Sequence, residues 1–292
     1  MKFLTRAEKT FQVFNYMFLT LISVIMIAPV WHVLMYSFSD SWAVNSTGFF
    51  IWPRDFSLRA YTVVMRNSAI YTAYKNTIYV VIMATSLNLV MTLLFAYPLC
   101  KKDLDGRRII QFGIFFTMLF SGGLIPTYLV VNKLGLTNTH WSLIIPSAIS
   151  TYNVFVLRNF IATSIPDSLL ESARIDGASE TRILFQIVVP LSKPVLAVLG
   201  LWYGVGHWNS WFACIIYITK FNLYTLQPVL RQILTTMSPN AVFNHDPMLD
   251  SYQLAEVVKM AMIVVATVPI LCVYPFLQKY FVKGVVLGAV KG

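Results

Sequence analysis

Long stretches without charged residues dominate the hydrophobic pattern of this 292-residue chain. Six windows of 19 or more residues contain no Asp, Glu, Lys or Arg: residues 10–39, 76–100, 109–132, 134–157, 194–219 and 260–278. A helix needs about 20 apolar residues to cross the hydrocarbon core of a bilayer. Buried helices of soluble proteins rarely reach such lengths, so the pattern predicts an all-α membrane protein with six transmembrane helices.

The composition and the distribution of charge agree with this prediction. Charged residues make up only 12% of the chain, whereas soluble domains carry about 25%. Fourteen of the 22 Lys and Arg residues fall on the N-terminus, the second and fourth loops and the C-terminal tail. Because cytoplasmic loops are enriched in Lys and Arg, both termini are expected to be cytoplasmic. This topology in a lipid bilayer accounts for the net charge of +10, which therefore gives no support to a nucleic-acid partner.

The chain is expected to form a single transmembrane domain, residues 1–292, with two long connections. Residues 164–190 form a cytoplasmic loop, and residues 220–256 form a long extracytoplasmic loop. Within the second of these, residues 226–234 have the spacing of a short amphipathic helix. Residues 279–292 form a basic cytoplasmic tail. No internal repeat is visible, which gives no encouragement to a secondary transporter built from inverted repeats.

The cytoplasmic loop predicts a short helix with defined ends. Pro166 and Asp167 favour a helix start, because a missing N–H costs little there and a carboxylate complements the helix dipole. Gly177 favours the helix end, because glycine readily takes the left-handed conformation of a C-terminal cap. Small side chains at Ala173 and Ala178 would let the groove of another protein approach closely. The pattern therefore predicts a docking helix lying parallel to the membrane.

The same loop resembles the EAA motif of ABC-importer permeases. The order is Glu171-Ser172-Ala173, three residues, Gly177, nine residues and then Ile187-Val188-Val189-Pro190. Ser172 and Val189 stand where the family pattern has Ala and Leu, and both changes are small. Residues 174–179 and the chain end, 278–284 and 288–292, resemble carbohydrate-uptake permeases. Within that branch the chain is similar to the six-helix partner subunit of the maltose-type systems.

This resemblance implies a type I ABC importer permease (MetI-like) fold and a set of partners. The partners would be a second permease subunit, two ATPase subunits and an extracytoplasmic solute-binding protein. In that family the docking helix sits in a cleft of the ATPase, the tail reaches toward the ATPase dimer, and the last outer loop projects into the binding protein. The residues implied in coupling to the ATPase are Asp167, Leu170, Glu171, Ser172, Ala173, Arg174, Asp176, Gly177 and Ala178.

Motifs for chemistry within the chain itself are missing. No G-x-x-x-x-G-K-[ST] sequence occurs, so ATP and Mg would be bound by the partner ATPase subunits and no cofactor is expected in this chain. No H-E-x-x-H sequence occurs, and the four His residues lie in separate segments, which disfavours a metal site. Ser, His and acidic residues do not cluster as in hydrolases. The chain is therefore expected to be a non-catalytic subunit.

The fifth apolar window, residues 194–219, is unusually aromatic and polar for a membrane interior. Sugars present C–H faces to aromatic rings and hydroxyl groups to polar side chains, so His207, Trp208 and Asn209 are candidates for a substrate path. The alternative is helix packing through the GxxxG pair Gly200 and Gly204. In the systems that the chain resembles, sugar contacts lie mostly on the companion subunit.

The resulting expectation is a transmembrane subunit of an ABC importer in a bacterial cell membrane. Its substrate would be a carbohydrate delivered by a binding protein, by default a neutral oligosaccharide, with a uronate oligomer as an alternative. A rival from another class is an autonomous six-span secondary carrier or channel for a small solute. A membrane-embedded enzyme is disfavoured by the missing catalytic constellation.

Overall fold

The computed structural model describes residues 5–42, 48–235 and 252–289, and within them the secondary structure is helical, with no strand beyond one isolated antiparallel bridge between Ser39 and Phe56. A π-helical turn occupies Leu184–Val188 and a 3₁₀ turn Phe221–Leu223. The α-helices in chain order are α1 (Arg6–Ser37), α2 (Arg59–Arg66), α3 (Ser68–Cys100), α4 (Arg107–Leu119), α5 (Leu124–Lys133), α6 (Trp141–Ile144), α7 (Thr151–Ser164), α8 (Asp167–Ile175), α9 (Glu180–Ile183), α10 (Val189–Leu191), α11 (Lys193–Trp208), α12 (Phe212–Tyr217), α13 (Leu226–Thr235) and α14 (Tyr252–Ala289).

Three helices in the described part of the chain are long and apolar enough to cross a membrane by themselves. They are Ala7–Ser37 of α1, all of α3, and Leu254–Val273 of α14. Two further stretches qualify only as bent pairs: α4 with α5, bent by 111°, and Glu180–Leu191 with α11, bent by 80°. The described residues therefore contain up to five candidate spans, and the predicted count of six is not confirmed.

The fourth apolar window, residues 134–157, does not form the single helix that was predicted for it. It contains the four-residue helix α6 and only the first half of α7. Gly135 and Asn138 have positive φ angles of 68° and 58°, which α-helices of L-residues do not accommodate. Pro146 then follows α6, and proline removes a helical hydrogen bond. The prediction of a continuous helix was wrong because freedom from charge does not report on turns.

Glycine and proline also account for the two bends. Gly123 lies between α4 and α5 with a φ angle of 86°, a conformation that favours glycine. Before α11, the π-helical turn Leu184–Val188 precedes Pro190, which cannot donate a backbone hydrogen bond. Pro194 then lies in the first turn of α11, where a missing N–H is tolerated.

By contact clustering the chain divides into two compact units, the first comprising residues 1–70 and 232–268. In this unit the segment after α1 returns to the helix. The indole N–H of Trp31 donates to the carbonyl of Ile51 at 2.9 Å, and the backbone N–H of Phe50 donates to Nδ1 of His32 at 3.0 Å. Much of the apolar surface of α1 is exposed, as expected of a helix that meets lipid or another subunit.

The second unit, residues 71–231 and 269–292, contains a core built from α3, α7, α11 and the loop between α7 and α11. Its fully buried members include Ala96 of α3, Leu157 of α7, Ile183 of α9 and Leu199 of α11. This core therefore connects the predicted cytoplasmic loop directly to three of the longer helices. The helix predicted at 226–234 is confirmed as α13.

Residues 236–251, the centre of the predicted outer loop, and residues 290–292 of the predicted tail lie outside the described residues. Residues 279–289 of the tail continue α14.

Helix α11 packs on α3 through its two small residues. A Cβ atom on Gly200 would lie 3.5 Å from Cδ1 of Leu89, and one on Gly204 would lie 3.7 Å from Oγ1 of Thr85. The GxxxG contact that the sequence offered as an alternative is thus present within the chain.

We expect Gly204→Leu to destabilise the protein, because a larger side chain would push α11 away from α3. Overpacking of this kind costs about 1–3 kcal/mol. Gly206 is a matched control, because no atom lies within 4 Å of a Cβ atom built there. Thermal unfolding in detergent should show a lower midpoint for Gly204→Leu than for Gly206→Leu; equal midpoints would contradict the packing role.

Candidate functional site

Helix α8 has the boundaries that the sequence predicted. It begins at Asp167 after Pro166, whose backbone is extended, and it ends at Ile175. Gly177 has a φ angle of 80°. Its N–H donates to the carbonyl of Arg174, and the N–H of Ala178 donates to the carbonyl of Ala173, both at 3.0 Å. This pair of bonds is a Schellman cap, and it explains the glycine by its left-handed conformation.

The two faces of α8 have different surroundings. Leu170, Ala173 and Ala178 are partly buried and pack against the core shared by α3, α7 and α11. The sequence interpretation offered Ala173 and Ala178 to the groove of another protein, but here their side chains contact the chain's own core. Leu169 lies beside this stripe and is 39% exposed, whereas Ile175 lies on the opposite face and is 86% exposed.

Four of the other six predicted coupling residues are exposed on or next to the outer face of α8: Glu171, Ser172, Asp176 and Gly177. An exposed isoleucine at the end of a polar helix is an apolar contact surface that the sequence reading did not single out. The signal was available, because Ile175 lies two residues before the cap glycine and outside the stripe formed by Leu170 and Ala173.

A carboxylate outside the predicted set lies at the centre of this region. One oxygen of Glu180 lies 2.7 Å from Nζ of Lys101 and accepts a hydrogen bond from the hydroxyl of Tyr97. The other oxygen lies 3.1 Å from Nε of Arg174. Arg174, predicted to contact the ATPase, thus has a partner within the chain. In the sequence Glu180 resembles an ordinary first-turn carboxylate after the N-cap residue Ser179, so its partners could not be foreseen.

A second ion pair joins the start of α8 to the loop after α3. Nζ of Lys102 lies 2.8 Å from Oδ2 of Asp167. Their mutual hydrogen bond is the main cause that raises the pKa of Lys102 and lowers the pKa of Asp167. Both side chains are largely exposed, and exposed ion pairs contribute little to stability. Glu171, Arg107 and Arg158 line the polar cavity of about 500 Å³ beside this pair.

A different cavity, of about 600 Å³, lies between α11 and the segment that includes α6 and the start of α7. We call it the aromatic cavity. Its polar and aromatic lining residues are Ser142, Ser147, Ser150, Asn153, Trp202, Tyr203, His207, Ser210 and Tyr217. Hydroxyl, amide and imidazole groups therefore alternate with ring faces. This composition is suited to an uncharged polar molecule with apolar C–H faces.

Buried polar groups of α3 fix the orientation of two of these side chains. Nε2 of His207 lies 2.7 Å from Oδ1 of Asn88, whose amide N–H₂ donates to the carbonyl of Ser147. The hydroxyl of Tyr203 lies 2.7 Å from Oγ1 of Thr92. Asn88 and Thr92 are fully buried, so breaking these contacts would leave polar groups unsatisfied.

Of the three residues predicted for a substrate path, the structure places only His207 in the aromatic cavity. Trp208 is 9% exposed and its ring packs edge-on against Tyr74 at 6.2 Å. Asn209 is exposed at the C-cap of α11. Consecutive helical residues point about 100° apart, so three in a row cannot share one face.

The sequence reading missed Trp202 and Tyr203, which lie one turn before Gly206 and His207. Residues 202, 203, 206, 207 and 210 all line the aromatic cavity. This spacing of three and four residues is the helical signal that could have identified them.

Comparison with known proteins gives consistent results over the whole chain. The sequence profile of the family described as "Binding-protein-dependent transport system inner membrane component" matches residues 64–287. Protein LplC of Bacillus subtilis is 42% identical over 288 residues, covering 99% of this chain and 97% of that protein. The polygalacturonan/rhamnogalacturonan transport system permease protein YtcP of Bacillus subtilis is 41% identical, covering 98% of this chain and 99% of that protein.

A solved structure is also similar. It is a chain of a bacterial ABC transporter involved in the import of the acidic polysaccharide alginate, and it matches with a TM-score of 0.89 and 31% identity. The match covers 96% of this chain and 100% of that chain.

We expect Gly177→Val to loosen the C-terminal end of α8, because a β-branched residue in the left-handed conformation costs about 1–2 kcal/mol. Gly177→Asn is the matched control, since asparagine tolerates this conformation. Hydrogen exchange in detergent should become faster for the capping N–H groups of residues 177 and 178 in Gly177→Val and change less in Gly177→Asn. Unchanged exchange in Gly177→Val would show that the cap does not depend on glycine.

Proposed function

This chain belongs to the family of binding-protein-dependent transport system inner membrane components, and we propose that it is a transmembrane subunit of an ATP-driven ABC importer for uronic-acid oligosaccharides. Members of this family are membrane components rather than catalytic subunits. ATP would be hydrolysed by separate ATPase subunits, because the chain contains no phosphate-binding loop. A second permease subunit and an extracytoplasmic binding protein would complete the importer in a bacterial cell membrane.

The observation that carries this proposal is the aromatic cavity. Trp202 and Tyr152 lie with ring centroids 6.0 Å apart, and the nearby side chains of Ser147, Ser150 and Asn153 offer hydrogen bonds. A pyranose ring has apolar C–H faces and a rim of hydroxyl groups, which match this combination. Polar groups inside a membrane protein usually face a water-filled path, which also supports a solute route.

The acidic class of sugar is supported by the relatives. YtcP is described as a polygalacturonan/rhamnogalacturonan permease, and the similar structure is from a transporter of alginate. Both polymers contain uronic acids. No Lys or Arg lines the aromatic cavity within the described residues, so carboxylates would meet hydroxyl, amide and imidazole groups there. A transport path must hold its solute weakly enough to release it, and the absence of a fixed cation suits that need.

Coupling to the ATPase would use the outer face of α8. Ile175 and Gly177 are the exposed apolar or small positions of that face, while Glu171 and Asp176 supply charge at its edges. Closure of the ATPase dimer would move this helix, and the membrane helices would alternate between inward and outward access.

The proposed topology retains six crossings with both termini in the cytoplasm. Five crossings would be α1, α3, the bent pair α4 and α5, α11 followed by α12, and α14. The remaining crossing would combine α6 and α7, because the 14 residues of α7 span only about 21 Å of a hydrocarbon core of about 30 Å.

The proposal is tested by purifying the tagged chain in mild detergent and identifying its partners by mass spectrometry. We expect a second permease and an ATPase, with ATP hydrolysis stimulated by a binding protein loaded with trigalacturonate. Maltotriose is the neutral comparison of equal length. Recovery of a lone chain that moves solute into vesicles without ATP would overturn the importer and favour the autonomous carrier.

We expect Ile175→Asp to release the ATPase subunits from the purified complex. Burying an isoleucine side chain contributes about 1.5–3 kcal/mol, and a carboxylate would forfeit this and add a desolvation cost. Ile175→Val keeps an apolar side chain and should retain the ATPase. Glu171→Lys should weaken attachment in a salt-dependent way. Equal ATPase recovery with Ile175→Asp and with Ile175→Val would exclude this face as the docking surface.

We expect Trp202→Ala to lower the uptake of trigalacturonate by about threefold to tenfold, which is the range of a lost aromatic contact. Trp141 is a matched control, because both tryptophans are 42% exposed and Trp141 is not among the residues that line the aromatic cavity. Uptake into vesicles that contain the complete importer is the measurement. A larger loss with Trp141→Ala than with Trp202→Ala would remove the aromatic cavity from the path.

A further inference from the structure

We propose that α3 links the coupling loop, residues 164–190, to the aromatic cavity, and that Glu180 and Asn88 are the positioning residues at the two ends of this link. The inference rests on the proposed function, because it concerns how movement of α8 reaches the solute path. It assigns a mechanical role to a helix that lines neither the outer face of α8 nor the aromatic cavity.

The first end of the link is the carboxylate of Glu180. It bonds to Arg174 of α8 through one oxygen and to Lys101 and Tyr97, at the end of α3, through the other. Charge-assisted hydrogen bonds of this kind are about twice as strong as neutral ones. A displacement of α8 is therefore transmitted to α3 through this side chain, in addition to the packing of Leu170 and Ala173 on the shared core.

The contacts with α3 are arranged around an irregular point of that helix. Pro98 lies within α3, and proline removes one helical hydrogen bond and favours a kink. Tyr97 precedes this residue and Lys101 follows it, and both bond to the same oxygen of Glu180. Glu180 thus contacts α3 on both sides of Pro98, so that the last residues of the helix move together with the part that precedes Pro98.

The second end of the link is Asn88, which lies 13 positions before Lys101, or about 20 Å along the helix axis. Asn88 joins His207 of α11 to the backbone of Ser147, and both of these residues line the aromatic cavity. Thr92, one turn further along α3, holds the hydroxyl of Tyr203. The side chains of Asn88 and Thr92 are fully buried. Sliding of α11 along α3 would break their hydrogen bonds and leave buried polar groups unpaired, which is costly in free energy.

The route to α11 through the covalent chain is irregular. From α9 to α11 the backbone passes the π-helical turn Leu184–Val188 and then a break at Ser192, where the axis bends by 80°. Such irregular segments are where helices deform. The hydrogen-bonded route through α3 therefore provides a stiffer connection between α8 and α11 than the backbone from α9 to α11 does.

The experiment measures how far ATP changes access to the aromatic cavity. A cysteine is placed at Ser150 after Cys100, Cys214 and Cys272 are replaced by alanine, and the complete importer is reconstituted in vesicles with its binding protein and trigalacturonate. The rate of labelling by a membrane-impermeant maleimide is compared with and without ATP and Mg. In the otherwise unchanged chain ATP should alter this rate; no change there would overturn both the proposed function and the inference.

Glu180→Gln keeps the size of the side chain and removes its charge. We expect the ATPase to stay bound while the ATP-induced change in labelling falls by roughly threefold or more, the range seen for coupling networks. Arg182→Gln is the matched control, because Arg182 lies in the same loop and its bond is to Gln186, four residues along. It should leave the ATP-induced change intact. A full ATP response in Glu180→Gln would overturn the inference.

Tyr97→Phe removes one hydrogen bond from α3 to Glu180 and keeps both ion pairs, so it tests the same contact if Glu180→Gln does not assemble. It should reduce the ATP response in the same direction, and an unchanged response would count against α3.

Asn88→Ala tests the distant end of the link. It should also reduce the ATP response, although it lies about 20 Å along the helix axis from Lys101, the partner of Glu180. Thr85→Val is its control on the same helix, since the buried hydroxyl of Thr85 has no hydrogen-bond partner among the described residues. If both ends act on one route, Glu180→Gln combined with Asn88→Ala should be no worse than the more severe single change. Multiplying effects would show two independent routes and would overturn the inference.

Discussion

Four polar side chains buried along α3 form hydrogen bonds to other segments, because an unpaired polar group is costly in an apolar interior, and these bonds organise the second unit of the fold. Asn76 donates to the carbonyls of Asn222 and Tyr224, and Thr77 accepts from the N–H of Leu226. Further along the same helix, Asn88 and Thr92 bond to α11 and to the backbone before α7. One long helix thereby fixes segments that are distant in sequence, from the start of α13 to the lining of the aromatic cavity.

The residues of the coupling loop fall into two groups, those that pack and pair within the chain and those that stay exposed. Leu170, Ala173 and Ala178 complete the core that α3 shares with α7 and α11, while Glu180 pairs with Lys101 at the end of α3 and with Arg174 of α8. The outer face, where Ile175 projects, stays exposed and would meet the proposed ATPase. A docking helix anchored on its inner side can pass force into the membrane helices, because packed interiors resist compression.

The interruptions in the apolar segments bring polar groups to the wall of the aromatic cavity. Unbroken helices with only apolar side chains would leave no polar lining for a sugar. The interruption around Pro146 and the following N-cap Ser150 places hydroxyl and amide groups opposite α11. Irregular backbone is tolerated at membrane depth where it lines a cavity. The segment that departs most from a simple span is therefore the one that contributes a wall of the aromatic cavity.

The sequence by itself determined the class of the protein, the boundaries of α8 and the cap at Gly177, because these depend on local rules of hydrophobicity and helix termination. It also carried the motif that identifies the family. The tertiary structure decided which side of each helix faces which neighbour. The ring of Trp208 packs against Tyr74, and the carboxylate of Glu180 lies next to Lys101 and Arg174. Trp208 and Tyr74 are 134 positions apart and Glu180 and Lys101 are 79 apart, and no local pattern encodes the rotation of one helix against another.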